Sequence, residues 1–276
     1  MRWITSRFDI DLGQPQVMGI VNVTPDSFSD GGRYLGTRAA LRHAEQLLAQ
    51  GAHLLDIGGE STRPGSVALP LEQEMARVLP VLREAVKLGV PISVDTYKPE
   101  LMRAALDLGV DIVNDIWALR QGDALALLAL QPRCGVCLMH MHRDPQTMQV
   151  APMAGDVLPS VCDFLRQRAA ALLALGVARE RVVLDPGIGF GKTLAQNFSL
   201  LARQHELLAL GYPLLVGWSR KSSLGQVCAR EQPGERVAAS VAAAVLALER
   251  GARVLRVHDV RETVDALLVW QASRCA

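Results

Sequence analysis

The sequence predicts a single-domain (β/α)8 TIM barrel, and three observations predict it. Six glycines, Gly51, Gly89, Gly109, Gly176, Gly211 and Gly251, each close a stretch of helical apolar spacing and stand just ahead of an extended one. Glycine is the favoured left-handed residue after a helix, so each marks a return to strand. Eight short apolar runs alternate with these helices, and most stop at a polar residue. The composition of the 276 residues, 50% apolar and 4% aromatic, suits helices packed on strands better than a β-sandwich. Strand–helix alternation implies parallel pairing through right-handed crossovers, and eight such units close on themselves. An open doubly wound sheet is the alternative.

In chain order the strands are expected at 17–22, 54–58, 92–95, 112–114, 135–140, 182–185, 214–217 and 254–258. The helices between them carry apolar residues three and four apart, as in Val157, Val161, Phe164, Leu165, Leu172 and Leu173, a stripe suited to packing on a sheet. One domain spans 1–276. Two long loops dense in turn formers, about 23–36 and 59–70, follow the first two strands and read as mobile lids.

Net charge is +1, which gives no global attraction to nucleic acid or an acidic membrane, so any anion must be met by a local cluster. The longest soft apolar run, 237–248, is too short to span a bilayer. The first seven residues lack the apolar segment of a secretory signal. A cytoplasmic protein with five reduced cysteines is expected.

The stretch Val182 to Lys192, VVLDPGIGFGK, reads as strand, acidic tip and glycine-rich loop. It is not a phosphate loop, which would need glycine at Pro186, nor a dinucleotide fingerprint, which would need glycine at Lys192. In a barrel the residues closing the strands converge at the C-terminal mouth. Here these are Asn22, Asp56, Asp95, Asn114, Asp185, Arg256 and His258, with Lys221 shortly after the seventh strand. Carboxylates and carboxamides suit a flat heterocycle with amino and lactam groups, and Arg63, Lys221, Arg256 and His258 suit a phosphate-like group.

Eight ordered segments carry a family resemblance: MGIVNVTPDSFSDGG from Met18, LLDIGGESTRPG from Leu54, ISVDT from Ile92, DIVND from Asp111, LMHM from Leu138, LDPGIGFGK from Leu184, SRKS from Ser219 and RVHDV from Arg256. The chain resembles the dihydropteroate synthases, the sulfonamide-targeted enzymes of folate biosynthesis. That resemblance implies a transferase joining the pyrophosphate ester of 6-hydroxymethyl-7,8-dihydropterin to p-aminobenzoate, releasing pyrophosphate with Mg²⁺. It further implies that Asn22 contacts the metal and that Asp95, Asn114 and Asp185 read the pterin. Asp95 would also stabilise positive charge on the ring. Lys221 would lie against the pterin and line the aminobenzoate path. Arg256 and His258 would clamp pyrophosphate, joined by Asp30 and Arg63 when the lids close. Phe28, Thr62, Pro64 and Ser222 would line the aminobenzoate pocket. The family is typically homodimeric, and the apolar helix 237–248 is either an interface or buried on its own barrel. A dissociative substitution is expected, with no covalent enzyme intermediate.

Rival readings rest on other residues. Lys221 stands where a Schiff-base aldolase keeps its nucleophile, though the SRKS setting is wet and anion-friendly. A pterin-binding methyltransferase barrel would share the aspartates and asparagine but have no use for the anion clamp. Cys134, Cys137, His140 and His142 suggest zinc, yet strand parity turns Cys137 away from the two histidines. Asp56 either lines the mouth or bonds the backbone of the next loop. Trp117 and Trp218 either narrow the mouth or stack on a ligand, and the 142–145 turn departs from the family's glycine-containing one.

Overall fold

The computed structural model describes residues 1–24, 32–61 and 65–274, the side chains of 32–35 excepted. A hairpin of β1 (Arg2–Ile4) and β2 (Asp9–Asp11) leads into β3 (Gln16–Asn22), β4 (Leu54–Gly58), β5 (Ile92–Asp95), β6 (Ile112–Asp115), β7 (Gly135–Met139), β8 (Val182–Asp185), β9 (Leu214–Val216) and β10 (Ala252–Val257). These last eight close into one barrel in the order β10-β3-β4-β5-β6-β7-β8-β9, every neighbouring pair parallel. The expected strands fall within two residues of the observed ones at each end. All six predicted helix-closing glycines have positive φ, between 75° and 98°.

Period-two alternation divides each strand between two cores. Val17, Val21, Leu55, Ile57, Val94, Val113, Leu138, Val182, Leu184, Val216, Leu255 and Val257 face the helices. Met18, Leu54, Ile112, Cys137, Val183, Leu215 and Val254 fill the lumen. The hairpin, absent from the sequence reading, adds Trp3, Ile10 and Leu12 to that lumen cluster and so plugs the N-terminal end. Trp3 is fully buried, and its indole Nε1 donates to the Arg181 carbonyl at 3.0 Å. Arg181 itself is buried and donates to the carbonyls of Leu128, Gln131 and Cys134. An always-charged fork thus satisfies carbonyls at the C-terminal end of α4 (Ala124–Leu130) and just beyond it.

One helix departs from expectation and one falls within it. In α5 (Leu158–Ala174) the buried stripe is Leu158, Val161, Leu165, Ala169 and Leu172, while Leu173 is 37% exposed, because a face containing both 172 and 173 is wider than one barrel contact. In α8 (Val237–Glu249) Ser240, Ala243, Ala244, Ala247 and Leu248 are buried, so one face of the apolar helix packs on its own barrel. Among the described residues, no helix is long and apolar enough to cross a membrane.

Trp3→Ala should cost about 3–5 kcal/mol, the usual loss for a large buried aromatic. Urea denaturation would measure it, and a loss below about 1 kcal/mol would mean the hairpin does not plug the lumen.

Candidate active site

Above the apolar plug the same inward register turns polar. Asn22, Gly58, Asp95 and Asn114 are successive register partners across β3, β4, β5 and β6. Gly58 makes room in that row, since a Cβ there would lie 3.2 Å from the Asp95 Cβ. Asp56 sits one step deeper on β4, Asp185 continues the inward face of β8 from Val183, and Arg256 that of β10 from Val254. Asp95, Asn114, Asp185 and Arg256 therefore share one mouth, closed below by the plug.

Arg256 is the hub. Its Nε donates to Asp56 Oδ2 and an Nη to Asp95 Oδ2, each at 2.6 Å, and Asn114 Nδ2 donates to the same Asp56 oxygen at 3.1 Å. Asp56 thus belongs to the mouth and is not a loop cap. Burial alone would lower Arg256, but the two carboxylates outweigh it and hold the guanidinium above its ordinary value. Burial lifts Asp95 to about 7, with Arg256 drawing it back and Asp56 pushing it further up. Asp185 is also raised by burial, partly offset by the Gly187 N–H that donates to its Oδ1 at 2.7 Å.

The loop from β8 to α6 (Leu194–Ala202) wraps beside this row. Phe190, not singled out by the sequence, presents its ring 4.4 Å from Lys221 Nζ. Lys221 stands just before α7 (Ser222–Cys228) and is half-buried, while Ser222 is exposed. Arg220, with φ 58°, turns away onto Asp259 and leaves Lys221 as the cation facing the loop. His258 lies just past β10, its Nδ1 3.0 Å from the Ser219 hydroxyl, which also accepts from the His258 N–H. Arg256 and His258 hence stand on different partners.

Other residues frame the mouth. Asp115 accepts from the N–H groups of Trp117 and Leu119 at 2.7 Å each, holding a turn in which Ala118 and Leu119 have positive φ. Burial raises it to about 6. Lys98 pairs with Glu60 and Glu74 and donates to the Leu69 carbonyl, so both ends of the loop after β4 are anchored to the same ammonium. Neither the Asp115 turn nor this ion cluster was legible as a pattern. Trp117 lines a cavity of about 210 Å³ with Glu60, Tyr97 and Asp144, whereas Trp218 packs in the core against Phe198. The 142–145 turn is held by Asp144, which accepts from the N–H groups of Gln146 and Thr147.

Phe28, Asp30, Thr62, Arg63 and Pro64 lie outside the described residues. Cys137 fills the lumen while His140 packs on Phe164 outside it, the opposite faces that parity requires. Among the described residues, no three His, Cys, Asp or Glu side chains gather in a metal-binding group. Asn22 offers one hard carboxamide oxygen at the end of β3, a donor set that fits Mg²⁺ carried chiefly by a substrate's oxygens and water.

Because Asp95 is raised from 3.8 to about 7, the native state holds its proton more tightly than the unfolded chain does. Its contribution is full below the unfolded value and fades as pH rises toward the folded one. The stability of the unliganded wild type relative to Asp95→Asn should therefore fall between pH 3.8 and about 7, as read by denaturant midpoints across that window. A flat difference would remove the assignment.

The family described as pterin binding enzyme matches residues 18–258. The dihydropteroate synthase of Neisseria meningitidis serogroup B is 51% identical over 98% of this chain and 96% of its own. The structure of Xanthomonas albilineans dihydropteroate synthase with 4-aminobenzoic acid superposes with TM-score 0.92 at 50% identity, covering 97% of this chain and 96% of that one. That of Burkholderia cenocepacia dihydropteroate synthase complexed with 7,8-dihydropteroate gives 0.90 at 49% identity, covering 99% and 96%. With the polar row, the shared guanidinium and the glycine loop all falling inside the matched span, this chain belongs to the dihydropteroate synthases, transferases of folate biosynthesis.

Proposed function

We propose that this mouth condenses the pyrophosphate ester of 6-hydroxymethyl-7,8-dihydropterin with p-aminobenzoate by a dissociative substitution, with the site residues in the following roles. The observation that carries the reading is the convergence of Asp95, Asn114, Asp185 and Arg256 on one lumen above a dry plug. Asp95, Asn114 and Asp185 read the pterin edge, carboxylates accepting from its ring and amino N–H groups and the carboxamide serving both donors and acceptors. As those N–H groups take over Asp95, Arg256 is released from it and turns toward the pyrophosphate, where His258 and Asp30 and Arg63 join it. The C–O bond breaks with its electron pair leaving on pyrophosphate. The electron-rich pterin delocalises the cation, and the anionic Asp95 beside it lowers its energy. Lys221 lies against the ring and lines the path of p-aminobenzoate, with Phe28, Thr62, Pro64 and Ser222 forming the pocket for that arylamine. Its nitrogen adds to the carbon and gives its proton to water or the departing pyrophosphate.

Asn22 would hold Mg²⁺, which when bound neutralises charge on the leaving group. Lys221 needs no Schiff base in this scheme. A half-buried ammonium beside an aromatic face agrees with a binding role. The substrates are small molecules, with no nucleic-acid or membrane partner, in a cytoplasmic homodimer.

Pyrophosphate release from the dihydropterin ester should require p-aminobenzoate for product and Mg²⁺ for full rate. Arg256→Ala should lower turnover by about one to three orders of magnitude, as for loss of one preorganised charge contact. Wild-type release by that variant would end the assignment of Arg256.

A further inference from the structure

Lys192 closes the glycine-rich loop and is 2% exposed, one of the largest buried side chains in the protein. Its Nζ donates to the carbonyls of Gly187 at 2.8 Å and Phe190 at 3.1 Å, and stands 2.9 Å from Nδ1 of His140. Burial lowers Lys192 to about 7, with Asp185 drawing it back up; in its ammonium form it has three N–H groups and no acceptor, so the three partners satisfy it when His140 offers a bare Nδ1. Burial supports that state of His140 by lowering it to about 2, with the Lys192 charge adding. Burying a lysine is costly without full hydrogen bonding, and a methionine of similar length would pack at no such cost. The loop that this lysine ties to the end of β7 is the one that touches the site. Gly187 N–H holds Asp185, a Cβ on Gly189 would lie 3.4 Å from Lys221 Cδ, and the Phe190 ring faces Lys221 Nζ.

We propose that Lys192 is a positioning residue for the condensation: by tying the β8–α6 loop to His140 it fixes Phe190 and Gly189 against Lys221 and sets the direction of Asp185. It touches neither substrate, and it acts through the residues that do. This inference rests on the roles given above to Lys221 and Asp185. Asn197 grips the same loop from α6, its Oδ1 accepting from Gly189 N–H at 2.8 Å, so the loop stays attached without Lys192 but loses its register against Lys221.

The test is steady-state kinetics on Lys192→Met, Lys192→Arg, His140→Leu and His140→Asn, at a temperature well below each variant's melting point. Lys192→Met and His140→Leu should raise KM for both substrates about tenfold or more while kcat changes less than about threefold, because binding groups are misplaced and no reacting atom is lost. His140→Asn, whose carboxamide oxygen replaces Nδ1 as acceptor, should restore KM to within about threefold of wild type. Lys192→Arg, too large for the enclosed space, should behave like Lys192→Met. If folded Lys192→Met keeps both wild-type KM values, Lys192 is only structural and the proposal is overturned. Should Lys192→Met fail to fold, wild-type KM values in His140→Leu overturn it equally. A wild type that releases no pyrophosphate would instead refute the functional reading, whatever the variants do.

Discussion

A single guanidinium divided between two buried carboxylates governs what this barrel can accept. Taking such groups out of water costs several kcal/mol each unless they are paired and hydrogen-bonded. Arg256 pairs with both Asp56 and Asp95, so once Asp95 is ionised the trio carries one negative charge inside a lumen sealed from below by apolar side chains. That surplus favours a ligand presenting N–H groups or developing positive charge. Burial, with Asp56 adding to it against the pull of Arg256, makes Asp95 resist ionisation more than an ordinary carboxylate does. Asp56 Oδ1 and the hydroxyl of its register partner Ser93 are buried without a hydrogen-bond partner among the described residues, so the lumen retains acceptor capacity next to the charge trio.

Barrel closure makes the trio possible. Asp56, Asp95 and Arg256 are up to 200 residues apart in sequence, and only a sheet that returns β10 to β3 brings them within hydrogen-bonding distance. Side-chain direction then follows from alternation alone. One step below Arg256 on the inward face is Val254, one below Asp185 is Val183, and one below Asn114 is Ile112, all in the plug. The change from apolar to polar along each strand is therefore a change in depth along a single lumen.

That regularity is why so much was legible in the sequence. The helix-closing glycines fixed the repeat, and period two placed the strand tips, including the opposite faces of Cys137 and His140. What escaped notice obeys no period. The hairpin strands are three residues each, too short to show alternation, and their burial depends on a lumen that exists only after closure. Arg256 reads as a strand-tip cation from its position, but strand position does not fix the partners of so long a side chain, which here are the carboxylates of Asp56 and Asp95. In α5 the apolar spacing extends one residue beyond the buried stripe, to Leu173, because leucine occurs on exposed helical faces too.

The glycine-rich loop shows the same limit most sharply, since its letters come close to a phosphate loop while its physics runs the other way. In a phosphate loop the backbone N–H groups point outward to an anion and a lysine reaches over it. Here the N–H groups of Gly187, Gly189 and Phe190 are taken by Asp185, Asn197 and the Gly187 carbonyl. The carbonyls of Gly187 and Phe190 point inward to the chain's own lysine. A Cβ at Gly187 would fall 1.8 Å from the His140 carbonyl oxygen and one at Gly191 2.6 Å from the His142 Cβ, so close backbone approach and not anion binding requires those glycines. An inward-turned loop concentrates carbonyl dipoles in its interior, and a cation there is the simplest way to neutralise them. Lys192 is therefore a consequence of the same crowding that selects glycine. The outer edge left for the site is an aromatic ring and a bare glycine backbone beside Lys221, a surface suited to a flat ring better than to a phosphate.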